Sequence, residues 1–404
     1  MTLKEQPENI NTLPLPVQDA IDHSAKVKQC LLKKIAVKGQ ISFTEYMQTV
    51  LYEAGLGYYS AGSIKLGQQG DFVTAPEISA LFSQSLAQAI LPALQSIKQC
   101  EILEVGAGSG RMAADILLHL ETFNSLPERY CILELSADLR ERQQAYIKKS
   151  VPHLFERVVW FDTLPEGLNA VVVANELLDA MPVVRFKKEL NNIAIECVTA
   201  VEGKFKLGYN SDNEFIERSR ERVKQIEKEC QVLNANYVSE INFNAEDWLT
   251  TLLSKLNSGV VILIDYGYSR CEYYHEQRNN GTLTCFYRHR HHSNPFVYPG
   301  LQDITAHIDF TAIADCGVNN GVTLLGYTTQ SNFLMGAGIT QLAEQKAMQY
   351  IEQDNISKQM ELTGQIKKLT MPYEMGEIVK VMGFSKNCEV RIEAFYFNDM
   401  RDHL

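Results

Sequence analysis

Glu101-Ile102-Leu103-Glu104-Val105-Gly106-Ala107-Gly108-Ser109-Gly110 is a short apolar run that passes through three glycines, and a helical pattern opens near Arg111. A strand that turns sharply into a helix needs glycines where the backbone bends tightly and a ligand lies against it. A dinucleotide fingerprint, G-x-G-x-x-G, would put its last glycine where Arg111 stands. The charge also argues against a pyrophosphate. Glu104 ends the strand, and Asp71 and Asp162 are expected on the same rim. Carboxylates repel a diphosphate and attract a cationic ligand.

Working outward, the texture after Cys100 is that of a parallel sheet, with short apolar runs alternating with helices. Strands are expected over 101–105, 130–135, 158–161, 170–174, 260–265, 322–327 and 389–397. Upstream, Val27, Leu31 and Ile35 mark a helix over about 22–38, stopped by Gly39. Ser42 and Glu45 form a capping box ahead of Phe43, Tyr46, Met47, Val50 and Leu51, which follow helical spacing. A second box, Thr74-Ala75-Pro76-Glu77, opens a helix to about Ile97. Between the fourth and fifth strands lies a β-meander, with turns at Asn191-Asn192 and Glu202-Gly203, then a charged helix over 213–233 and another opened by Asn244. The fold expected is α/β and Rossmann-like. It has a flexible arm (1–20), an N-terminal helical lobe (21–98), a sheet domain (99–182 and 258–404) and a meander-and-helix insertion (183–257).

Composition bounds the function classes. A 404-residue chain with 45% hydrophobic and 22% charged residues can bury a substantial core. Its net charge of −11 disfavours binding along a nucleic-acid backbone and suits a basic protein or a cationic small molecule. The nine cysteines are scattered and contain no C-x-x-C pair, so all are expected as thiols in a cytoplasmic-type compartment. Neither a secretory leader, an arginine-rich transit peptide nor a membrane-spanning run is legible.

The carboxyl ends of parallel strands are where such sheets bind ligands. With Glu104, the loop glycines Gly106, Gly108 and Gly110 suit the ammonium and sulfonium of S-adenosylmethionine. Glu134, closing the second strand, is placed to accept ribose hydroxyls; the alternative is a solvated strand-end carboxylate. Asp162, after the third strand, is expected at the adenine amine. At the fourth strand's tip stands Asn175-Glu176-Leu177-Leu178-Asp179-Ala180-Met181-Pro182. Glu176 and Asp179 are three apart, which on a helical turn would put both carboxylates on one side, ready to hold a guanidinium. The alternative is that Asn175 and Asp179 cap a following helix. Five histidines (His275, His289, His291, His292 and His307) fall in one polar stretch. The run Arg288-His289-Arg290-His291-His292 lacks metal-ligand spacing and its arginines repel a cation, so no metal is expected. A substrate-facing loop, with His307 or Asp309 near the site and His307 as a reserve general base, is the favoured reading. The glycine-hinged loop over 67–74 is the candidate lid.

With these residues assembled, the chain resembles the MidA family, which includes the mitochondrial complex I assembly methyltransferases. The resemblance rests on Gly70-Asp71-Phe72-Val73-Thr74-Ala75-Pro76-Glu77-Ile78-Ser79, on the 175–182 segment, on Gly281-Thr282-Leu283 with Tyr287-Arg288-His289-Arg290, on Gln302-Asp303-Ile304-Thr305-Ala306-His307-Ile308-Asp309-Phe310, and on Met371-Pro372-Tyr373-Glu374-Met375-Gly376-Glu377. It implies a class I methyltransferase sheet using S-adenosyl-L-methionine, with Gly70, Asp71, Glu104, Gly106, Gly108 and Glu134 at the cofactor and Glu176 at a target guanidinium. It also implies protein arginine methylation, with a core subunit of respiratory complex I as client. The acidic pair departs from the double-glutamate loop of better-known arginine methyltransferases. A bacterial, cytoplasmic member is expected. The alternative readings are a small-molecule acceptor and a cofactor-binding scaffold without turnover, and a homodimer is a further candidate partner.

Overall fold

The computed structural model describes residues 13–61 and 73–404. Two compact units share the chain. One comprises Met1–Phe72, Asp179–Asn244 and Arg270–His307, and the other Val73–Leu178, Ala245–Ser269 and Ile308–Leu404.

The second unit is built on an eight-stranded sheet. Its main path runs Val158–Phe161, Tyr130–Leu133, Glu101–Val105, Leu168–Asn175, Leu256–Tyr268, Val379–Lys386, Thr323–Thr329. The first five pair in parallel, and Val379–Lys386 runs antiparallel to both neighbours. Runs such as Val171-Val172-Val173 and Ile262-Leu263-Ile264 are almost wholly buried, as strands covered on both faces require. The chain order reverses between Glu101–Val105 and Leu168–Asn175, which opens a crevice at their carboxyl ends.

The seventh strand is not at 389–397. It is Val379–Lys386, while Glu393–Phe397 forms a short 3-10 helix. Alternating apolar residues in the terminal segment mimic a strand, but Phe395 instead lays its ring over a glycine pair. Gly326 and Gly383 are register partners on neighbouring strands, and a Cβ on Gly383 would stand 2.5 Å from the Phe395 ring. We predict that Gly383→Ala destabilises the second unit by about 1–3 kcal/mol through overpacking, measured by chemical denaturation, with part of the loss recovered when Phe395 is also shortened to Leu.

The helix expected from Thr74 to Ile97 is broken in two. Ala75–Ile78 ends at Ser79, whose extended backbone and side-chain hydroxyl restart the helix as Ala80–Ser96. Thr74 makes no side-chain cap, so the second box does not form. Ala80–Ser96 buries residues nearly all round, among them Phe82, Leu86 and Ile90, and belongs to the sheet unit rather than an N-terminal lobe.

The first unit gathers the helices Gln18–Lys38 and Phe43–Tyr52 with the insertion and the 270–307 segment. Val27, Leu31, Tyr46, Met47 and Val50 pack with Val183, Val198 and Ile304. Ser42 accepts from the Glu45 backbone as expected, whereas the Glu45 carboxylate turns to Lys38. The meander forms as read, with Glu202 and Gly203 both at positive φ in its second turn.

Two expectations about this unit are corrected. Cys230 and Cys271 form a disulfide, so seven cysteines, not nine, are free. Their separation of 41 residues carries no local signature, and only the fold brings them together. The histidine-rich run is a hairpin rather than a loop: Thr284–Tyr287 pairs with Arg290–His292. Its turn residues Arg288 and His289 both adopt positive φ (48° and 60°), a geometry favouring Asn-Gly. Exchanging the pair for Asn-Gly is expected to raise stability by about 1 kcal/mol, read as a shift in the urea midpoint at unchanged slope.

Candidate functional site

Glu104, Gly106, Gly108, Gly110, Glu134, Asp162, Asn175 and Glu176, all singled out in the sequence, lie along the carboxyl edge of the parallel strands in the second unit. Gly106, Gly108 and Gly110 take φ of 72°, 53° and 81°, a left-handed path that L side chains rarely adopt. At Gly110 a Cβ would also press on Ile147 at 3.3 Å, so the close approach of the next helix is a second reason for glycine. Helix Arg111–Thr122 starts there without a side-chain cap.

Glu104 is buried beneath this loop and accepts a 2.6 Å hydrogen bond from the Tyr130 hydroxyl. Burial raises its carboxyl to about 7, with Tyr130 opposing and Glu134 adding to the rise. Glu134 is also buried, which pushes its carboxyl up. One of its oxygens accepts from the Ser136 backbone (2.9 Å) and the other from Gln143 Nε2 (2.9 Å).

Gln143 is a residue that sequence reasoning missed. Fully buried, it also donates to the Gly108 carbonyl (3.1 Å) and accepts from Trp160 Nε1 (3.0 Å). It thereby fixes glycine loop, acidic strand end and third strand to one another. Its helix reads as polar surface, so nothing in the pattern points to it. Beside Glu134, Leu135 is 79% exposed, an apolar side chain left at the crevice edge. Asp162 is well exposed and paired with Arg140 at 2.6 Å.

The segment after residue 72 is tied to both ends of this edge. Glu77 accepts from the Ser109 hydroxyl and lies 3.8 Å from the Arg111 guanidinium. The Ala75 N–H donates to Glu176 Oε1 at 3.3 Å. Gly70, Asp71 and most of the candidate lid over 67–74 lie outside the described residues.

At the fourth strand's tip, Asn175 donates to Glu176 Oε1 (3.3 Å), while its own Oδ1 is buried with no hydrogen-bond partner among the described residues. Glu176 sits at φ 49°, strained for a residue with a side chain. No helix follows. The Asp265 carboxylate instead accepts from the Leu177 and Leu178 N–H groups (3.1 and 2.8 Å) and fixes an irregular turn. The helical pairing of Glu176 with Asp179 is therefore corrected, and so is the alternative that Asn175 and Asp179 cap a helix. Asp265 ends the apolar run expected as a strand over 260–265, much as Glu104 stands near the end of its own, so the same rule could have found it.

Asp179 and His307 belong to the first unit. Asp179 is buried, and its carbonyl accepts from the Ala306 N–H (3.0 Å). The His307 N–H donates to Thr282 Oγ1 (3.0 Å). Nearby in the same unit, Tyr59 donates to Asp303 (2.9 Å) and stacks on Tyr52. Asp309, in the second unit, caps the helix Phe310–Asn319 through the Ala312 N–H.

A crevice with a glycine floor, buried acids beneath it and a side-chain carbonyl oxygen at its rim can hold a cationic ligand with hydroxyls and N–H donors. Comparisons with known proteins agree. A family model described as "Putative S-adenosyl-L-methionine-dependent methyltransferase" matches residues 85–328. A Burkholderia thailandensis protein, crystallised with S-adenosyl-homocysteine, is 39% identical, with 97% of this chain and 100% of that chain covered and a TM-score of 0.91. "Protein arginine methyltransferase NDUFAF7, mitochondrial" of Mus musculus is 27% identical over 86% of this chain and 81% of its own length. The Caenorhabditis elegans "Protein arginine methyltransferase NDUFAF7 homolog, mitochondrial" is 26% identical over 78% and 76%.

Proposed function

The chain belongs to the S-adenosyl-L-methionine-dependent methyltransferase family whose model matches residues 85–328, and from that premise we propose that it methylates arginine side chains of a protein. The single observation carrying the target is Glu176. Its carboxylate is held at a strained backbone position on the carboxyl edge, and the Asn175 oxygen beside it has no hydrogen-bond partner among the described residues. A carboxylate and a carbonyl are two acceptors for the N–H groups of one guanidinium. The names of the curated relatives support the same target, as does the MidA resemblance of the motifs. On that resemblance we propose a core subunit of respiratory complex I, or its counterpart, as client.

The residues present fit the cofactor. Gly106, Gly108 and Gly110 would form the floor, Glu104 would face its cationic part, and Glu134, fixed by Gln143, would accept ribose hydroxyls. Leu135 would lie against the adenine ring. Asp162, tied to Arg140, is the least prepared of the proposed set. When bound, the cofactor supplies a methyl group on a positively charged sulfur. The protein's part is then positioning and exclusion of water. Glu176 would orient the guanidinium and draw its positive charge away from the attacking nitrogen. Asp265 holds the turn that carries Glu176, and Ala75 and Asn175 fix its Oε1.

The test is to incubate the purified protein with methyl-labelled S-adenosylmethionine and a basic protein fraction, then hydrolyse and identify the labelled residue. Label in methylarginine is expected, and its loss in Glu176→Gln. Label confined to lysine or to a small molecule would overturn the arginine assignment while leaving methyl transfer intact.

A further inference from the structure

The disulfide lies outside the site just described and has no part in its chemistry. Cys230 caps the carboxyl end of helix Ile216–Glu229, and Cys271 is the second residue of helix Arg270–Tyr273, with Cα atoms 5.1 Å apart. Between them the chain leaves the first unit after Asn244, passes through the second as Ala245–Ser269, and returns at Arg270. The bridge therefore fastens the returning segment where it re-enters. The buried Arg270 guanidinium pairs with Glu229 at the same junction, and Gln231 donates to the Tyr274 carbonyl (2.9 Å).

Cys271 differs from the other cysteines in access. It is exposed, whereas Cys230, Cys30, Cys316 and Cys388 are half-buried and Cys100, Cys131, Cys197 and Cys285 are buried. Burial pushes the Cys100 and Cys131 thiols up to about 12 and Cys197 to about 11, which keeps them protonated and inert.

We propose that Cys230–Cys271 is a reversible thiol–disulfide switch that sets how firmly the start of the 270–307 segment is held. Exposed Cys271 is the sulfur that a dithiol reductant reaches. A thiolate of the reductant attacks Cys271 Sγ, the S–S bond breaks, and Cys230 leaves as thiolate. The reductant's second thiol then closes on the mixed disulfide and releases Cys271, so two electrons pass to the pair and the reductant is oxidised. A low-molecular-weight disulfide such as oxidised glutathione reverses the exchange. With the bridge open, the Arg270–Glu229 pair and the Gln231–Tyr274 hydrogen bond remain to hold the junction, so the segment loosens without the unit unfolding.

The experiment uses the full chain under native conditions. Reactive thiols are counted and hydrogen–deuterium exchange is followed over 270–282, before and after a thioredoxin-type dithiol and again after oxidised glutathione. Two additional thiols, with exchange over 270–282 accelerated about tenfold and restored on reoxidation, are expected. Cys230→Ser should show the faster exchange with or without reductant. A bridge that the dithiol cannot open in the folded protein overturns the proposal, and so does one that opens with no change in exchange.

Discussion

Glu104→Gln is expected to weaken S-adenosylmethionine binding by at least about 100-fold and, at pH 8, to make the protein more stable. Both effects follow from one buried carboxyl raised from 4.5 to about 7. In the folded chain the group binds a proton that the unfolded chain releases near 4.5. Its burial therefore costs nothing at low pH, and stability falls as pH rises from 4.5 to 7. The shift corresponds to roughly 3 kcal/mol at about 1.4 kcal/mol per pKa unit, and the glutamine, which never ionises, should recover about 2 kcal/mol of it above pH 7. Thermal unfolding should show the variant a few degrees more stable at pH 8 and level with the parent at pH 4.5. Calorimetry should show the reverse order for the cofactor. Parent affinity should fall by up to tenfold per pH unit below 7, as the carboxylate facing the cation is protonated, and the variant should bind weakly with little pH dependence. Unchanged affinity in the variant would remove Glu104 from the cofactor site.

Glu176→Gln is expected to lower the rate of methyl transfer by about 10²–10⁴, with cofactor affinity changed less than threefold. A glutamine keeps the acceptor for Ala75 and Asn175 but loses the charge that localises the guanidinium's own. That loss is felt where charge develops, and electrostatic positioning groups of this kind contribute effects of that size. Single-turnover kinetics at saturating cofactor separates the two quantities. A variant that turned over normally would show that Glu176 only fixes the turn. Asp265→Asn gives the complementary result: it keeps an acceptor for the Leu177 and Leu178 N–H groups, so its loss of rate should be much the smaller.

The sheet was legible because its strands are buried on both faces, and runs such as Val171-Val172-Val173 have no other stable reading. The glycine loop was legible for the same kind of reason, since three left-handed positions in five residues demand glycine. The seventh strand was missed because Val379–Lys386 carries a glycine and ends in polar residues, while the terminal segment alternates like a strand; the pairing of Phe395 with Gly326 and Gly383 is a tertiary fact. Gln143 was invisible because its three side-chain hydrogen bonds reach elements that its own helical pattern does not reveal. The Glu176–Asp179 spacing misled because a helix was assumed where Asp265, nearly ninety residues on, caps an irregular turn. The disulfide likewise joins segments that only the fold brings together. Local rules identified where chemistry is placed and left unspecified what holds it there.

The most direct measurement is quantitative mass spectrometry of arginine methylation in cells lacking this chain, complemented with either the parent protein or Glu176→Gln. The account predicts a methylarginine mark on a protein that is lost with the chain, returns with the parent and stays absent with the variant. A proteome with no arginine mark dependent on the chain, or a mark that the variant restores in full, would contradict it.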